Sequence, residues 1–199
     1  MAGEGTAYPA TFAFTPPEKI ANWRPLVNWL LAIPHVIVLY FLGLVASVVG
    51  LISWFVILFT GNLPLGLANV QMMYIRYWLR TYTFIDFLRE DYPPFAFNAL
   101  AADPGDDPPV RVEFQPEFEN RNRLTVGFRF ILVIPQAIVL GLLFVVLSVC
   151  VLIAFFAVLF TGKWPEGLRD FVVNVYRWWL RVSAYALLLV DEYPPFALG

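Results

Sequence analysis

The chain has 199 residues, of which 60% are hydrophobic and only 14% are charged, and its formal net charge is −2. A soluble domain usually carries about 25% charged residues, so this composition indicates an integral membrane protein. The small negative charge argues against a nucleic-acid-binding surface, which would need a basic patch to bind phosphates. The first twenty residues are polar and contain prolines, so we expect no cleavable signal sequence there.

The chain consists of two copies of one unit at an offset of 101 residues. Residues 31–96 align without a gap on residues 132–197, and 30 of these 66 positions are identical. Agreement on this scale indicates an internal duplication. We therefore predict a first repeat over residues 1–97, an exposed acidic and proline-rich linker over 98–109, and a second repeat over 110–199.

Each copy opens with a short segment of alternating apolar residues, residues 11–14 and 110–114, followed by a proline. This alternation predicts a short strand at the membrane surface. Charged and aromatic stretches come next, at 18–24 and 118–123, and residues of these types favour the headgroup layer of a membrane. Interfacial segments should therefore lead into the apolar part of each copy.

An apolar run of 34 residues from Leu26 to Phe59, and its counterpart at 127–160, dominate the two copies. A straight helix of that length would reach about 51 Å, whereas the hydrocarbon core is about 30 Å thick, so each run must bend, tilt or fold back. One interpretation is a single crossing bent at Pro34 and Pro135, and the other is a hairpin within residues 43–50. The second copy lacks both glycines of that stretch, which favours the bent crossing.

Each apolar run ends in the motif Thr-Gly-x-x-Pro-x-Gly. Glycine permits a positive φ and proline presets a turn or a first helical position, so the motif predicts a chain reversal at the bilayer surface. It lacks the lysine and the preceding strand of a nucleotide-binding loop. The predicted turn residues are Thr60, Gly61, Pro64 and Gly66 in the first copy and Thr161, Gly162, Pro165 and Gly167 in the second.

A helix with a narrow polar stripe is predicted after each turn, over residues 66–89 and 167–190. A narrow stripe is typical of a crossing helix whose polar groups face the inside of a bundle. A helix that lies in the interface remains an alternative, because a charged residue near the middle of a membrane is costly.

Two arginines spaced four residues apart lie on the stripe of each copy, where like charges repel, so an anionic group should compensate them. Lipid phosphates, carboxylates of a partner chain, or Asp86 and Asp170 of this chain could do so. The candidate anion, lipid or partner contacts are Arg76, Arg80, Arg177 and Arg181.

Each copy closes with two acidic residues and the sequence Tyr-Pro-Pro-Phe. Prolines hold the backbone extended, and the flanking aromatic rings can seat it within the protein or offer it to a partner. We favour packing within the chain over a docking role. The residues concerned are Tyr92, Pro93, Pro94 and Phe95, and Tyr193, Pro194, Pro195 and Phe196.

Identical motifs require identical surroundings, so both copies should enter the membrane from the same side. Each copy should therefore cross the membrane an even number of times. We therefore expect an all-α integral membrane protein with two parallel tandem repeats, four crossings in total, and short surface strands before each repeat. Seven cations, Lys19 among them, fall on the side of the termini and linker, whereas Lys163 and Arg169 fall on the side of the turns. This bias predicts a multi-pass protein with termini and linker in the cytoplasm.

No set of residues suited to catalysis or metal binding recurs in both copies. His35 is the only histidine and is matched by Gln136, so a polar contact inside the bundle is expected rather than a metal ligand. The single cysteine, Cys150, reads as a small buried hydrophobic residue. We predict no catalytic residue, no cofactor and no metal, and hence a protein that is not an enzyme.

Four motifs together resemble the bacterial membrane proteins of the domain of unknown function 4389 family: Ile-Pro-x-x-Ile-Val-Leu, Leu-Phe-Thr-Gly-x-x-Pro-x-Gly-Leu, Arg-x-Trp-Leu-Arg, and the acidic pair before Tyr-Pro-Pro-Phe. The resemblance covers nearly the whole chain, once per half, and implies a bacterial inner-membrane protein. It carries no activity. We expect a non-catalytic accessory or scaffold subunit that contacts membrane lipids and other membrane subunits. The alternatives are a transporter or channel for a small anion or lipid, and a membrane-shaping hairpin protein.

Overall fold

The computed structural model describes residues 8–198, which form six helices and one two-stranded sheet. The first copy contains β1 (Ala10–Phe14), α1 (Arg24–Leu31), α2 (Ile33–Thr60) and α3 (Leu65–Ile85). The second contains β2 (Val110–Phe114), α4 (Arg123–Gly127), α5 (Arg129–Thr161) and α6 (Glu166–Ala186). The chain is therefore mostly helical and duplicated.

The first apolar run forms α1 and then α2, with a break at Ala32. The second run is almost entirely α5, which follows the short α4 after a break at Phe128 and contains Pro135 in its interior. Pro34 lies in the first turn of α2, where a missing N–H breaks no helical hydrogen bond. α2 continues unbroken through Gly43 and Gly50, so the hairpin interpretation is wrong. Within residues 8–198, α2 and α5 are the two helices long and apolar enough to cross a membrane, so four crossings are not confirmed.

The helices form two layers. The lower layer contains α2 and α5. α2 packs antiparallel on α3, where Gln71 Nε2 donates to Ala46 O at 2.9 Å, and α5 packs antiparallel on α6. α3 and α6 lie side by side above them in opposite directions. The rings of Trp78 and Trp179 stack at this contact with centroids 3.7 Å apart. These two tryptophans are equivalent in the repeats, so an approximate twofold axis passes between them.

The two predicted strands pair with each other, antiparallel, with Phe12 opposite Val112. The sheet covers the face of α3 and α6 that is turned away from α2 and α5, because Arg76 donates to Val112 O and Arg177 to Phe12 O. Gln71 faces α2 and Arg76 faces the sheet. Five residues separate them, a rotation of about 140° around the helix. The sheet is thus a third layer, centred on the same axis.

The two Thr-Gly turns lie at opposite ends of the molecule. Gly61 O accepts from the N–H of Arg121 at 2.9 Å, and Gly162 O accepts from the N–H of Ile20 at 2.8 Å. Gly61 precedes α3, whereas the neighbour of Ile20, Ala21, donates to Glu90 beyond the end of α3. α3 has 21 residues and is therefore about 31 Å long.

α2 and α5 consequently run in opposite directions, and the expected parallel helices with both turns on one face are wrong. A twofold axis perpendicular to the helices gives identical motifs identical surroundings just as well as one parallel to them. The predicted division of cations between two sides fails for the same reason. Lys19 and Lys163, assigned to opposite sides of a membrane, line one cavity of about 420 Å³.

Candidate functional site

The linker and β2 contact the middle of the polar stripe on α3. The guanidinium of Arg76 is 2% exposed and donates to four backbone carbonyls. They are Asn98 O at 2.9 Å, Leu100 O at 2.8 Å, Ala102 O at 3.4 Å and Val112 O at 2.9 Å. An arginine presents five N–H donors in a fixed fork, so one side chain can gather this many acceptors. Arg76 therefore acts as a clamp between the first repeat and the linker.

The linker carboxylates neutralise the arginines of the first copy. Arg80 Nη2 lies 2.6 Å from Asp106 and 3.7 Å from Asp103, and Arg89 Nη1 lies 2.5 Å from Asp107. The side chains of Asp103 and Asp107 are 0% and 4% exposed. Burial would raise the pKa of Asp106, but its hydrogen bond and charge contact with Arg80 lower that pKa overall. The linker, expected as an exposed connection, thus has its acidic side chains folded onto α3.

Neither acid proposed within the helices compensates the stripes. Asp86 is half-buried at the contact of the repeats and accepts from the hydroxyl of Tyr176, and its removal from water raises the pKa of Asp86 to about 6. Asp170 lies 3.5 Å from Arg169 and is exposed. That expectation is wrong because the compensating acids come from the linker, whose path a helical wheel does not contain.

The equivalent stripe on α6 has different partners. Arg177 donates to Phe12 O at 3.2 Å and to Asn174 Oδ1 at 2.6 Å, and within residues 8–198 no carboxylate lies within ion-pair distance of it. Arg181 is 8% exposed and donates to Ala197 O. The four candidate arginines therefore do not form one site. The sheet separates them into two clusters, one on each side of the twofold axis.

A third cluster was not predicted. Arg121 and Arg129 both contact Asp191, at 2.6 and 2.5 Å, just after the end of α6. Burial would raise the pKa of Asp191, but its contacts with Arg121, the backbone of Asn122 and Arg129 together outweigh burial and lower that pKa. Arg129 also donates to Val190 O, as Asn28 does to Arg89 O in the first copy. The sequence indicates this cluster only by Arg129, which stands where the first copy has Asn28.

The predicted turn residues lie at the helix ends. Gly61 and Gly162 end α2 and α5 with φ of 75° and 68°, in the left-handed region that favours glycine. The hydroxyls of Thr60 and Thr161 each accept a backbone N–H two residues on. Pro64 and Pro165 stand immediately before α3 and α6, followed by Gly66 and Gly167 in their first turns. The motif makes a compact cap between two helices.

The Tyr-Pro-Pro-Phe tails lie on the beginnings of α2 and α5. In the first copy, Pro93 is buried, Pro94 is half-buried and Phe95 stacks on His35 with ring centroids 4.1 Å apart. His35 Nδ1 also contacts the Tyr77 hydroxyl at 2.6 Å, and Tyr92 donates to Leu31 O.

In the second copy, Gln136 takes the place of the histidine and donates to Pro194 O at 2.6 Å. Tyr193 donates to Leu132 O, and Phe196 lies edge-on to Trp178. Pro195 is exposed. In both copies, therefore, the tail contacts its own repeat, while its aromatic side chains stay partly exposed.

The described part of the chain contains no group of three or more His, Cys, Asp or Glu side chains placed to hold a metal ion. Cys150 is buried on α5. The arrangement is chemically suited to holding segments together through arginine, carboxylate and backbone carbonyl contacts.

The profile of the family Domain of unknown function (DUF4389) matches residues 22–96 and 123–197, one match in each repeat. The matches begin just before α1 and at the first residue of α4, end in the Tyr-Pro-Pro-Phe tails, and leave out both strands and the whole linker. Comparison with curated proteins and with solved structures gave no match.

Proposed function

Because the chain belongs to the DUF4389 family, in two tandem copies, we propose a function from its structure rather than from an inherited activity. We propose that it is a non-catalytic scaffold subunit, embedded by α1, α2 and α5 in one leaflet of the bacterial inner membrane. The sheet and linker then face the aqueous side and bind partner subunits.

The observation that carries this proposal is the separation of apolar and charged surface between the first and third layers. α2 buries only a narrow line of residues, and large side chains elsewhere on it are exposed, such as Tyr40 at 65% and Phe59 at 78%. α5 has the same character, with Leu142 and Val145 at 65%. An exposed apolar surface of this extent is typical of a membrane contact.

The opposite surface is polar. The outward side chains of the sheet include Arg111 and Glu113, and the acidic linker lies beside them. The sheet sits over the middle of α3 and α6. If α2 and α5 stood upright across a bilayer, these charges would lie near its midplane, where a charged side chain costs several kcal/mol.

The length of the helices supports the same arrangement. α2 has 28 residues and is about 42 Å long, well beyond a hydrocarbon core of about 30 Å. Lying flat, a helix about 10 Å across fits within one leaflet, and its backbone groups remain hydrogen-bonded within the helix. The twofold axis would then stand along the membrane normal. We assign the cytoplasmic leaflet because basic residues are enriched on that side of inner-membrane proteins.

Membrane-impermeant maleimide labelling tests this arrangement. In a Cys150→Ala background, Asn62→Cys and Lys163→Cys place one thiol at each end of the molecule. A flat protein exposes both thiols to the same side, so both should label in inside-out vesicles and neither in right-side-out vesicles. Glu113→Cys should behave like them, and Val45→Cys on α2 should label from neither side. Labelling of Asn62→Cys and Lys163→Cys from opposite sides would show that α2 and α5 cross.

Copurification tests the scaffold role. Protein extracted gently from native membranes should migrate above the size of a monomer, with stoichiometric partner subunits. A crosslinker at Glu113→Cys should capture them, and one at Val45→Cys should capture lipid instead. Recovery of a free monomer only, with no crosslinked subunit, would contradict the role.

Membrane shaping is a second candidate, and one observation favours it. Two long apolar helices on a single face would expand one leaflet more than the other. We expect the protein to tubulate vesicles or to prefer small ones, and unchanged vesicle shape would contradict this candidate. The transporter alternative loses its motivation in the first copy, since linker carboxylates already neutralise Arg76 and Arg80.

A further inference from the structure

The outer edge of β2 is covered by the linker. The N–H of Val112 donates to Asp103 Oδ2 at 2.8 Å, and the N–H of Phe114 donates to Ala101 O at 2.9 Å. Val112 O accepts from Arg76. Both backbone groups of Val112 point away from β1, so Val112 and Phe12 form a non-hydrogen-bonded pair. Alternate residues of both strands likewise point their N–H and C=O groups away from the partner strand.

The outer edge of β1 is equivalent to that of β2 by the twofold axis. The N–H of Thr15 donates to Pro109 O and that of Gln115 donates to Pro9 O, so the strands correspond at an offset of 100 residues. Phe12 O accepts from Arg177, as Val112 O accepts from Arg76. Within residues 8–198, the N–H of Phe12 has no hydrogen-bond acceptor outside the sheet. An unpaired strand edge readily accepts another extended segment.

A cavity of about 230 Å³ runs along this edge, lined by Tyr8, Ala10, Thr11, Phe12, Arg177 and Arg181. Arg177 is half-buried, and both partners it has in the described residues are neutral oxygens. Its equivalent, Arg76, lies 3.8 Å from Asp103. Among residues 8–198, the cavity therefore combines the unpaired N–H of Phe12 with a guanidinium that lacks the carboxylate found at the equivalent site.

We propose that the outer edge of β1 and Arg177 bind an extended acidic segment of a partner polypeptide, in the way that residues 101–107 cover β2. A carboxylate of the partner would accept from the N–H of Phe12 and lie against Arg177, as Asp103 does with Val112 and Arg76. The inference rests on the proposed scaffold function and names the chemistry of the partner that the scaffold binds. The linker supplies the pattern of the occupant.

A synthetic peptide with the sequence of residues 98–107, Asn-Ala-Leu-Ala-Ala-Asp-Pro-Gly-Asp-Asp, is the probe. Labelled with a fluorophore, it is titrated into the full-length protein in lipid nanodiscs and followed by fluorescence anisotropy. Saturable binding is expected. Arg177→Ala should weaken it at least tenfold, as should replacing the first aspartate of the peptide by asparagine. Arg169→Ala, on the same helix but outside the cavity, is the matched control and should bind like the parent.

Absence of saturable binding, or equal binding by Arg177→Ala and the parent, would overturn the inference. Dependence on Arg76 instead of Arg177 would also overturn it, because the peptide would then be displacing the linker from β2. Near-ultraviolet circular dichroism of Arg177→Ala checks that the fold is kept, and Arg177→Lys keeps the charge if the alanine variant fails to fold. Failure here with successful copurification of a partner would leave the scaffold function standing.

Discussion

The two repeats carry the same pair of arginines, yet the pairs work in different surroundings. In the first copy, Arg76 and Arg80 bind the linker through backbone carbonyls and buried carboxylates. In the second, Arg177 contacts two neutral oxygens at the edge of a cavity. The linker follows the first repeat alone, so duplication copied the arginines without copying their partners. Identical residues in a duplicated chain can therefore have different partners in the two copies.

The two copies also differ where the apolar helices begin, and there it is the second copy that has the ion pairs. Position 129 is an arginine that shares Asp191 with Arg121, whereas the equivalent position 28 is an asparagine that bonds backbone carbonyls only. Each copy thus places its buried ion pairs at a different point of the same fold, the first at the sheet and the second where the helices begin.

The largest expected effect is at the linker of the first copy. Asp107→Ala leaves the buried guanidinium of Arg89 without its carboxylate, and we expect a loss of about 3–5 kcal/mol in the free energy of unfolding. Asp170→Ala, which removes an exposed acid of the second copy, should change it by less than about 0.5 kcal/mol. Denaturant titration in detergent measures both. Similar small losses for the two variants would show that the linker does not hold the fold.

Two acids with opposite pKa shifts should give opposite pH dependences. The pKa of Asp86 is raised to about 6 by burial, so the folded state holds a proton that the unfolded chain has released. Stability should therefore fall as pH rises from about 4 to 6, by about 2 kcal/mol, and Asp86→Asn should remove this slope.

The pKa of Asp191 is lowered overall, because its contacts with Arg121, the backbone of Asn122 and Arg129 together outweigh the effect of burial. Its contribution is present above the unfolded pKa of about 4 and is lost as pH falls below that value. Asp191→Asn should remove the low-pH loss and leave the slope between pH 4 and 6 intact. Thermal unfolding at several pH values checks both, and identical profiles for the two variants would contradict the assignment.

The smallest effect separates the two equivalent turn glycines. A Cβ at Gly162 would lie 3.0 Å from Ile20 O, a backbone atom, whereas one at Gly61 would lie 3.2 Å from the flexible side chain of Arg123. Both positions have a positive φ, which costs alanine about 1 kcal/mol. We expect Gly162→Ala to destabilise by about 2 kcal/mol and Gly61→Ala by about 1. Equal losses would mean that the backbone at Ile20 gives way.

Several features of the fold could be predicted along the chain. The repeat, the strands, the apolar helices and the turns depend on neighbours within a few residues, and the structure has them close to the expected positions. The candidate arginines were found, but their partners were not. Asp103 and Asp107 reach Arg76, Arg80 and Arg89 only because the linker folds back over α3.

Duplication, helical content and the two long apolar helices follow from the sequence, because self-similarity, periodicity and composition are properties of the chain alone. Tertiary structure decided how the copies are oriented. A twofold axis perpendicular to the helices gives the two copies the same surroundings as the expected parallel arrangement, and no residue pattern distinguishes the two. The pairing of β1 with β2 and the stacking of Trp78 on Trp179 make that choice, since each joins segments about 100 residues apart.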